Sequence, residues 1–257
     1  MRGLLAFFKK ELKESIRGSK IIIFPILFVV LGVLNTALAK LIPMLIELLS
    51  EELEASGMTV GAMQSDALTA WMQFFENISI GLLTFIFVFS NSFAGEYKSR
   101  TLILILTKGL ERFKVLFAKA LTMLIFWTGG FWLCVGVTYI CNILIGWDNS
   151  IATGLFSAAV LWWFYGVFII SLLVLFSTVF KSYIGVLLGT FVVDMGLSIV
   201  MMIPKVSDYV PSAMLNYADL LTGVQSASDC IEAIIVTAVL TIGAFALSVP
   251  LFNKKQL

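Results

Sequence analysis

Residues 21–40 read IIIFPILFVVLGVLNTALAK, a run with no charged residue before Lys40. About 20 apolar residues form a helix long enough to cross the hydrocarbon core of a bilayer. Five further apolar stretches follow, so the predicted spans are 21–40, 76–94, 120–145, 154–180, 183–203 and 232–252. The whole chain is 60% apolar, with a mean hydropathy of +1.02. The sequence therefore predicts an all-α integral membrane protein with six transmembrane helices.

The basic residues lie at alternate ends of these spans. Six precede the first span, six lie between the second and third, one separates the fourth from the fifth, and two follow the sixth, so 15 of the 17 fall on one side. Only Lys40 and Lys205 are left for the other side. The positive-inside rule places the basic side in the cytoplasm, with both termini. The net charge of +1 gives no indication of a nucleic-acid partner.

Residues 1–20 are predicted to form an amphipathic helix in the cytoplasmic interface. One arc of such a helix is apolar and the opposite arc is charged. The apolar arc holds Leu4, Leu5, Phe8, Leu12 and Ile16, and the charged arc holds Lys9, Lys10, Lys13, Glu14, Arg17 and Lys20. The alternative interpretation is a basic flank that only sets the topology.

The segments between the spans are too short to bury a core of their own, so residues 1–257 are predicted to be a single transmembrane domain. Residues 41–75 contain amphipathic pieces that lie on the outer surface or extend the adjacent helices. Residues 204–231 form the other long outer loop. Pro204 and Pro211 interrupt this loop, which fits a pair of short re-entrant helices covered by protein.

The composition disfavours several kinds of chemistry. The chain has no histidine, the commonest metal ligand and general base. Cys134 and Cys141 lie about 10 Å apart along one predicted span, too far for a disulfide, and Cys230 lies elsewhere, so free thiols are expected. The Gly-x-x-x-x-Gly-Lys-[Ser/Thr] phosphate loop is missing from the sequence. No catalytic, cofactor or metal site is predicted, and a partner would have to bind any ATP and Mg²⁺.

The cytoplasmic connection 95–119 carries the most distinctive pattern, GEYKSRTLILILTKGLERFKVLFAK. Its apolar run from Leu102 to Leu106 is bracketed by Arg100, Lys108 and Arg112. Such a run offers a cytoplasmic partner a hydrophobic plug with a polar rim. The alternative is an ordinary positive-inside loop whose apolar run lies on the bilayer.

This connection resembles the signature of type-2 ABC exporter permeases, in which an acidic residue, Gly-Thr-Leu, a leucine-rich stretch, Thr-x-Pro, an Arg and a Lys follow at similar spacing. The matching positions are Glu96, Thr101-Leu102, Leu106-Thr107, Arg112 and Lys119. Arg100 replaces the usual Gly, and Gly109 stands where Pro is common. The Phe7–Glu14 start, the six spans and the long connection between the fifth and sixth spans extend the resemblance over the full chain.

The resemblance implies a permease subunit of an ATP-driven ABC exporter, dimeric with a second permease subunit and coupled to separate ATPase subunits. It also implies that about residues 96–108 contain a short coupling helix inserted into a cleft of the ATPase. The predicted coupling residues are Glu96, Tyr97, Arg100, Thr101, Leu102, Leu104, Thr107 and Arg112.

Other classes of protein make different demands on the sequence. A secondary transporter predicts inverted repeats and several intramembrane charges. An intramembrane enzyme predicts a catalytic His, paired Asp residues or a Ser-Lys pair at membrane depth. The spans carry neither pattern. A non-transporting scaffold or immunity subunit has no sequence feature that separates it from an exporter.

Asp194 is the one acidic residue well inside a predicted span. A carboxylate at that depth is costly and by default marks a proton, cation or substrate contact. The structural alternative is a side chain hydrogen-bonded to a neighbouring helix. No other span offers a partner of opposite sign, which argues against an ion pathway.

The asymmetry of basic residues predicts the accessibility of introduced cysteines. In a chain whose three natural cysteines are replaced by serine, a cysteine at Ser99 should react with an impermeant maleimide only after the membrane is opened. A cysteine at Ser56 should react in intact cells. Labelling at position 99 from outside would overturn the topology.

Overall fold

A computed structural model of the chain describes residues 2–18, 20–48, 65–99, 101–107 and 109–255. Every regular element in these ranges is helical. The α-helices are α1 (Arg2–Arg17), α2 (Lys20–Leu48), α3 (Ala67–Ser99), α4 (Thr101–Thr107), α5 (Arg112–Ile145), α6 (Leu155–Val179), α7 (Tyr183–Val200), α8 (Tyr217–Leu221) and α9 (Ile231–Lys254). Short 3₁₀ turns lie at Asn149–Ile151, Ser207–Tyr209, Pro211–Leu215 and Ala227–Cys230.

The six predicted spans correspond to α2, α3, α5, α6, α7 and α9. Within the described residues these six helices are long and apolar enough to cross a membrane. The ends differ from the prediction, because α3 begins at Ala67 rather than 76 and α5 begins at Arg112 rather than 120. Residues 41–48 and 67–75 therefore extend the adjacent helices. Ser56, Arg100 and Lys108 lie outside the described residues.

The connection between α5 and α6 shows how local chemistry reverses the chain. Gly146 follows α5 with a φ of +87°, a left-handed conformation that glycine adopts without steric cost. The N–H of Trp147 then donates to the carbonyl of Asn142 at 2.9 Å. Asp148 accepts from the backbone N–H of Ser150 at 2.9 Å and begins a 3₁₀ turn. The two long helices are consequently neighbours, as the short connection predicts.

Interlocked aromatic rings fill the centre of the bundle. Phe24 and Phe28 of α2, Phe85 of α3 and Trp127 of α5 are buried, and the rings of Phe85 and Trp127 lie 5.6 Å apart. Gly130 is needed beside them, because an added Cβ would lie 2.4 Å from the Phe28 ring. Helices in lipid associate through close packing rather than through expulsion of water. The interlocking of these rings therefore contributes close packing between α2, α3 and α5.

A neutral polar network joins the helices near the end opposite the termini. Thr36 of α2 donates to Asn142 of α5 at 2.9 Å, and Asn142 donates to Asn149 at 2.9 Å. Trp71 of α3 donates to the same Asn149 oxygen at 2.9 Å. All four residues are buried. Three helices and a 3₁₀ turn are thus tied together without a buried charge, which would be far more costly here.

The proline-interrupted segment 204–231 contains α8 and three of the 3₁₀ turns, Ser207–Tyr209, Pro211–Leu215 and Ala227–Cys230. Met214, Leu220 and Leu221 are buried. At Gly154, the residue before α6, an added Cβ would lie 1.9 Å from the Leu220 carbonyl oxygen. The segment is therefore packed closely onto the start of α6. Cys134, Cys141 and Cys230 are free thiols, as predicted.

Candidate coupling site

The connection 95–119 is largely helical. α3 continues through Ser99, α4 covers the middle of the connection, and α5 begins at Arg112. Gly109 follows α4 with a φ of +86°, and its N–H donates to the carbonyl of Leu106 at 3.0 Å. Proline, whose φ is fixed near −65°, cannot adopt that conformation. The glycine in place of the family's proline therefore accompanies a left-handed turn.

Leu102 does not form the exposed part of a plug. Its side chain is only 1% exposed and belongs to the core of this chain, with Leu106 and Leu110 packed partly against the same core. Leu102 is therefore packed within this chain, and its contact with a partner stays a prediction. Thr107 is exposed at the end of α4. The backbone of Leu104 lies in α4, and its side chain is outside what the structure describes.

Five charged residues from three helices form an ion cluster beside α4: Lys10, Glu11, Glu14, Glu96 and Lys119. Lys119 Nζ lies 3.0 Å from Glu11 Oε2 and 3.1 Å from Glu96 Oε2. Lys10 Nζ lies 3.0 Å from Glu96 Oε1 and 2.7 Å from Glu14 Oε2. α1, α3 and α5 are therefore joined at one point.

Burial makes this cluster different from a surface salt bridge. Lys119 is 2% exposed and Glu96 is 8% exposed, so the contact between them is buried. Lys119 also donates to the carbonyl of Ser92 at 3.1 Å. Its ammonium thus contacts three oxygens, one for each of its N–H donors. An ion pair with such partners is costly to break from one side.

The titration of the α1 residues follows from these contacts. Burial disfavours the Glu11 carboxylate, but the ammoniums of Lys119 and Lys10 outweigh this effect and hold the pKa of Glu11 below its usual value. Burial likewise disfavours the Lys10 ammonium, but Glu14, Glu11 and Glu96 outweigh it and raise its pKa. Glu11 therefore stabilises the fold at neutral pH, and this contribution is lost as the pH falls through its lowered pKa.

The three carboxylates of the ion cluster also have the spacing of a metal site. Oxygens of Glu11, Glu14 and Glu96 lie within 4.8 Å of one another. Lys10 and Lys119 already contact these oxygens, so a cation would have to displace an ammonium from each contact that it took over. The arrangement is better explained as an ion-pair network than as a metal site.

Arg112, one of the predicted coupling residues, caps the end of α9. Its guanidinium donates to the carbonyls of Phe252, Asn253 and Lys255, the last two at 3.1 and 2.8 Å. These carbonyls belong to the last turn of a helix, where the backbone lacks partners and the helix dipole favours a cation. Arg112 therefore ties the start of α5 to the end of α9.

Tyr97 and Lys255 make a matching contact with α6. The Tyr97 hydroxyl donates to the carbonyl of Ser177 at 3.2 Å. Lys255 Nζ donates to the carbonyl of Phe180 at 2.8 Å and lies 4.3 Å from the centre of the Tyr97 ring. Burial, together with the nearby charge of Lys181, lowers the pKa of Lys255 to about 8. The ends of α3, α6 and α9 are thereby held together.

The predicted coupling residues thus fall into distinct groups. Glu96, Tyr97, Leu102 and Arg112 contact other helices of the same chain, whereas Thr101 is half-buried and Thr107 is exposed. Sequence reasoning missed Glu11 and Lys255, and it noted Lys119 only as a match to a pattern. Lys119 looks like an ordinary basic flank of a span in the sequence, so its pairing with Glu11 and Glu96 leaves no local signal.

Asp194 accepts a hydrogen bond from the hydroxyl of Tyr165, which joins α7 to α6. Tyr165 is 1% exposed. The side chain thus has the bond to a neighbouring helix that the structural interpretation of this residue requires. A tyrosine was not among the expected partners because a hydroxyl inside an aromatic stretch has no distinctive spacing.

Six membrane-length helices among the described residues, with an N-terminal helix joined to them by ion pairs, define a polytopic membrane protein. The chain belongs to the ABC-2 family transporter proteins, whose family model matches residues 5–257. The protein is accordingly a transmembrane permease of the ABC transporter class, and members of this family generally pair with ABC ATPase subunits. Neither a curated protein nor a solved structure matches the chain significantly.

Replacing Lys119 by methionine should destabilise the fold strongly, because the buried Glu11 and Glu96 would lose their buried cation and share only the partly exposed Lys10. Loss of one partner from a buried pair costs about 3–5 kcal/mol. Lys114→Met is the matched control, since Lys114 pairs with an exposed glutamate and should cost less than about 1 kcal/mol. The measurement is thermal unfolding of the purified chain in detergent.

Adding Glu11→Gln to Lys119→Met should recover part of the lost stability, since it leaves Glu96 as the one buried carboxylate that Lys10 has to compensate. Equal unfolding temperatures for Lys119→Met and Lys114→Met would show that the ion cluster contributes no more than a surface pair.

Asp194→Asn should leave the unfolding temperature nearly unchanged, because the amide oxygen can still accept from Tyr165. Asp194→Leu should cost about 1–3 kcal/mol by leaving that buried hydroxyl without a partner. Thermal unfolding of the two variants separates hydrogen bonding from charge. If the asparagine variant is as unstable as the leucine variant, the negative charge itself is required.

Proposed function

We propose that this chain is the membrane-spanning permease subunit of an ATP-driven ABC exporter. It forms the translocation path with a second permease subunit, and separate ATPase subunits bind ATP and Mg²⁺. The observation that carries the proposal is the attachment of the two helix ends that flank α4. The end of α3 and the start of α5 are joined to each other and to α1, α6 and α9, and α4 between them buries Leu102, so this segment suits the transmission of force from a partner.

Force applied to α4 has several routes into the bundle. The Lys119–Glu96 pair links α5 to α3, and Lys119–Glu11 adds α1. Arg112 carries α9 along with the start of α5. A displacement of α4 would therefore move several helix ends together rather than bend a loop. ATP-driven closure of the ATPase pair then needs only to favour one of two arrangements of the permease halves.

The basic asymmetry supports a cytoplasmic position for the end of the bundle that holds both termini. α4, the ion cluster and the Arg112 and Lys255 contacts all lie at this end. A cytoplasmic ATPase would meet α4 there without crossing the membrane.

A second permease subunit is supported by the sparse coverage of α7. Only 11% of the residues in its 18-residue apolar stretch are buried. Leu188, Val192 and Met195 are exposed along it. In the proposed dimer, a second permease subunit and lipid cover this surface.

Introducing a charge into α4, whose last residue Thr107 is exposed, should disrupt the contact with the ATPase. For Thr107→Asp and Leu104→Asp we expect at least about tenfold less ATPase bound, because a desolvated charge without a partner costs more than the 1.4 kcal/mol that corresponds to a factor of ten. The measurement is the amount of an ABC ATPase, identified by its phosphate loop, that copurifies with the tagged permease from native membranes.

Two controls interpret this experiment. Thr222→Asp places the same charge on an exposed threonine in the proline-interrupted segment, away from α4, and should leave copurification intact. Leu102→Asp should lower the thermal stability of the permease itself, since Leu102 is buried within it. Normal copurification and ATP hydrolysis with both α4 variants would exclude α4 as the coupling element.

A further inference from the structure

An apolar groove of about 270 Å³ lies between α1, the start of α2 and the middle of α5. Leu12 and Ile16 of α1 and Ile21 and Pro25 of α2 line one side. The α5 side runs from Ile125 to Leu133, which is a rise of about 12 Å along a helix. Half of the hydrocarbon core of a bilayer is about 15 Å thick, so the groove has the length of a single leaflet.

The floor of the groove at Gly129 is open. An added Cβ there would meet no atom within 4 Å, although the next residue, Gly130, is pressed against Phe28. The space is therefore large enough for an apolar chain to lie against the backbone of α5.

Free positive charge borders the mouth of this groove on α1. With 3.6 residues per turn, Lys9 and Lys13 lie beside Ile16 on the helix surface, and Arg17 follows farther round. All three basic residues are exposed, and among the described residues none of them forms an ion pair. Lys10, in contrast, is already engaged by the carboxylates of the ion cluster.

We propose that this groove binds the acyl chain of an anionic phospholipid whose headgroup is held by Lys13 and Arg17. A zwitterionic lipid would fill the groove equally well but would gain less from the unpaired cations. Each basic residue close to an anionic lipid surface contributes about 1 kcal/mol, which corresponds to about a fivefold change in affinity. The bound lipid fastens α1 against α2 and α5, alongside the ion cluster. The site is independent of any ATPase and of the direction of transport.

The test is a titration of the purified, delipidated full-length chain with phosphatidylglycerol or phosphatidylcholine of identical acyl chains, followed by native mass spectrometry. The parent should bind phosphatidylglycerol more tightly. Lys13→Gln should weaken phosphatidylglycerol binding about fivefold, and addition of Arg17→Gln should bring the loss to about 25-fold, with phosphatidylcholine little changed. Lys254→Gln, which removes an exposed lysine elsewhere at the same end, should have no such effect.

Gly129→Leu should fill the groove and weaken binding of both lipids. Gly136→Leu is its matched control, because it lies on the same helix, also has open space around it and is not in the groove. Equal lipid binding by Gly129→Leu and Gly136→Leu would overturn the proposal, as would equal losses for Lys13→Gln and Lys254→Gln. A dimer that dissociates in Gly129→Leu while lipid binding is unchanged would instead make the groove a subunit interface, and would also overturn it.

Discussion

At the end of the bundle that holds both chain termini, the packing of the helices depends on a lysine that is almost completely buried. Lys119 is 2% exposed, and an ammonium in such surroundings requires compensation from more than one oxygen. Glu11 and Glu96 supply it from two different helices. This requirement accounts for the orientation of α1, whose buried face contains Phe7, Glu11 and Ser15, while the predicted apolar positions Leu5 and Ile16 are exposed.

The spans were predictable because the bilayer imposes their length and apolar composition. The faces of the spans that pack inside the bundle could not be predicted, because an apolar side chain is suited both to the protein interior and to contact with lipid. Phe24 and Phe28 are buried, whereas Ile22 and Ile26 on the same helix are exposed, and nothing in their hydrophobicity separates them. Close packing determines which residues of α2 are buried, as the contact between Gly130 and Phe28 illustrates.

The sequence indicated where the candidate site lies along the chain, but it did not indicate which residues its side chains contact. The pattern around α4 located the segment, and a short helix is present there. Arg112 resembled a rim residue because its partners are backbone carbonyls of α9, which leave no trace in sequence. Glu11 pairs with a residue 108 positions away, beyond any local pattern. The burial of Leu102 likewise depends on tertiary packing. The sequence of an apolar run does not show whether the run packs against its own chain or against a partner.

The helices are joined by neutral hydrogen bonds at one end of the bundle and by ion pairs at the other. Around Asn149 the links are neutral amides and an indole, whereas around Lys119 they are full charges. Ion pairs hold a geometry firmly because removal of either partner is costly, and a neutral network can exchange partners at a smaller cost. If α4 receives force, the charged end transmits it with little internal deformation. Rearrangement would then be concentrated towards the neutral end and in the sparsely covered helix α7, where less energy opposes it.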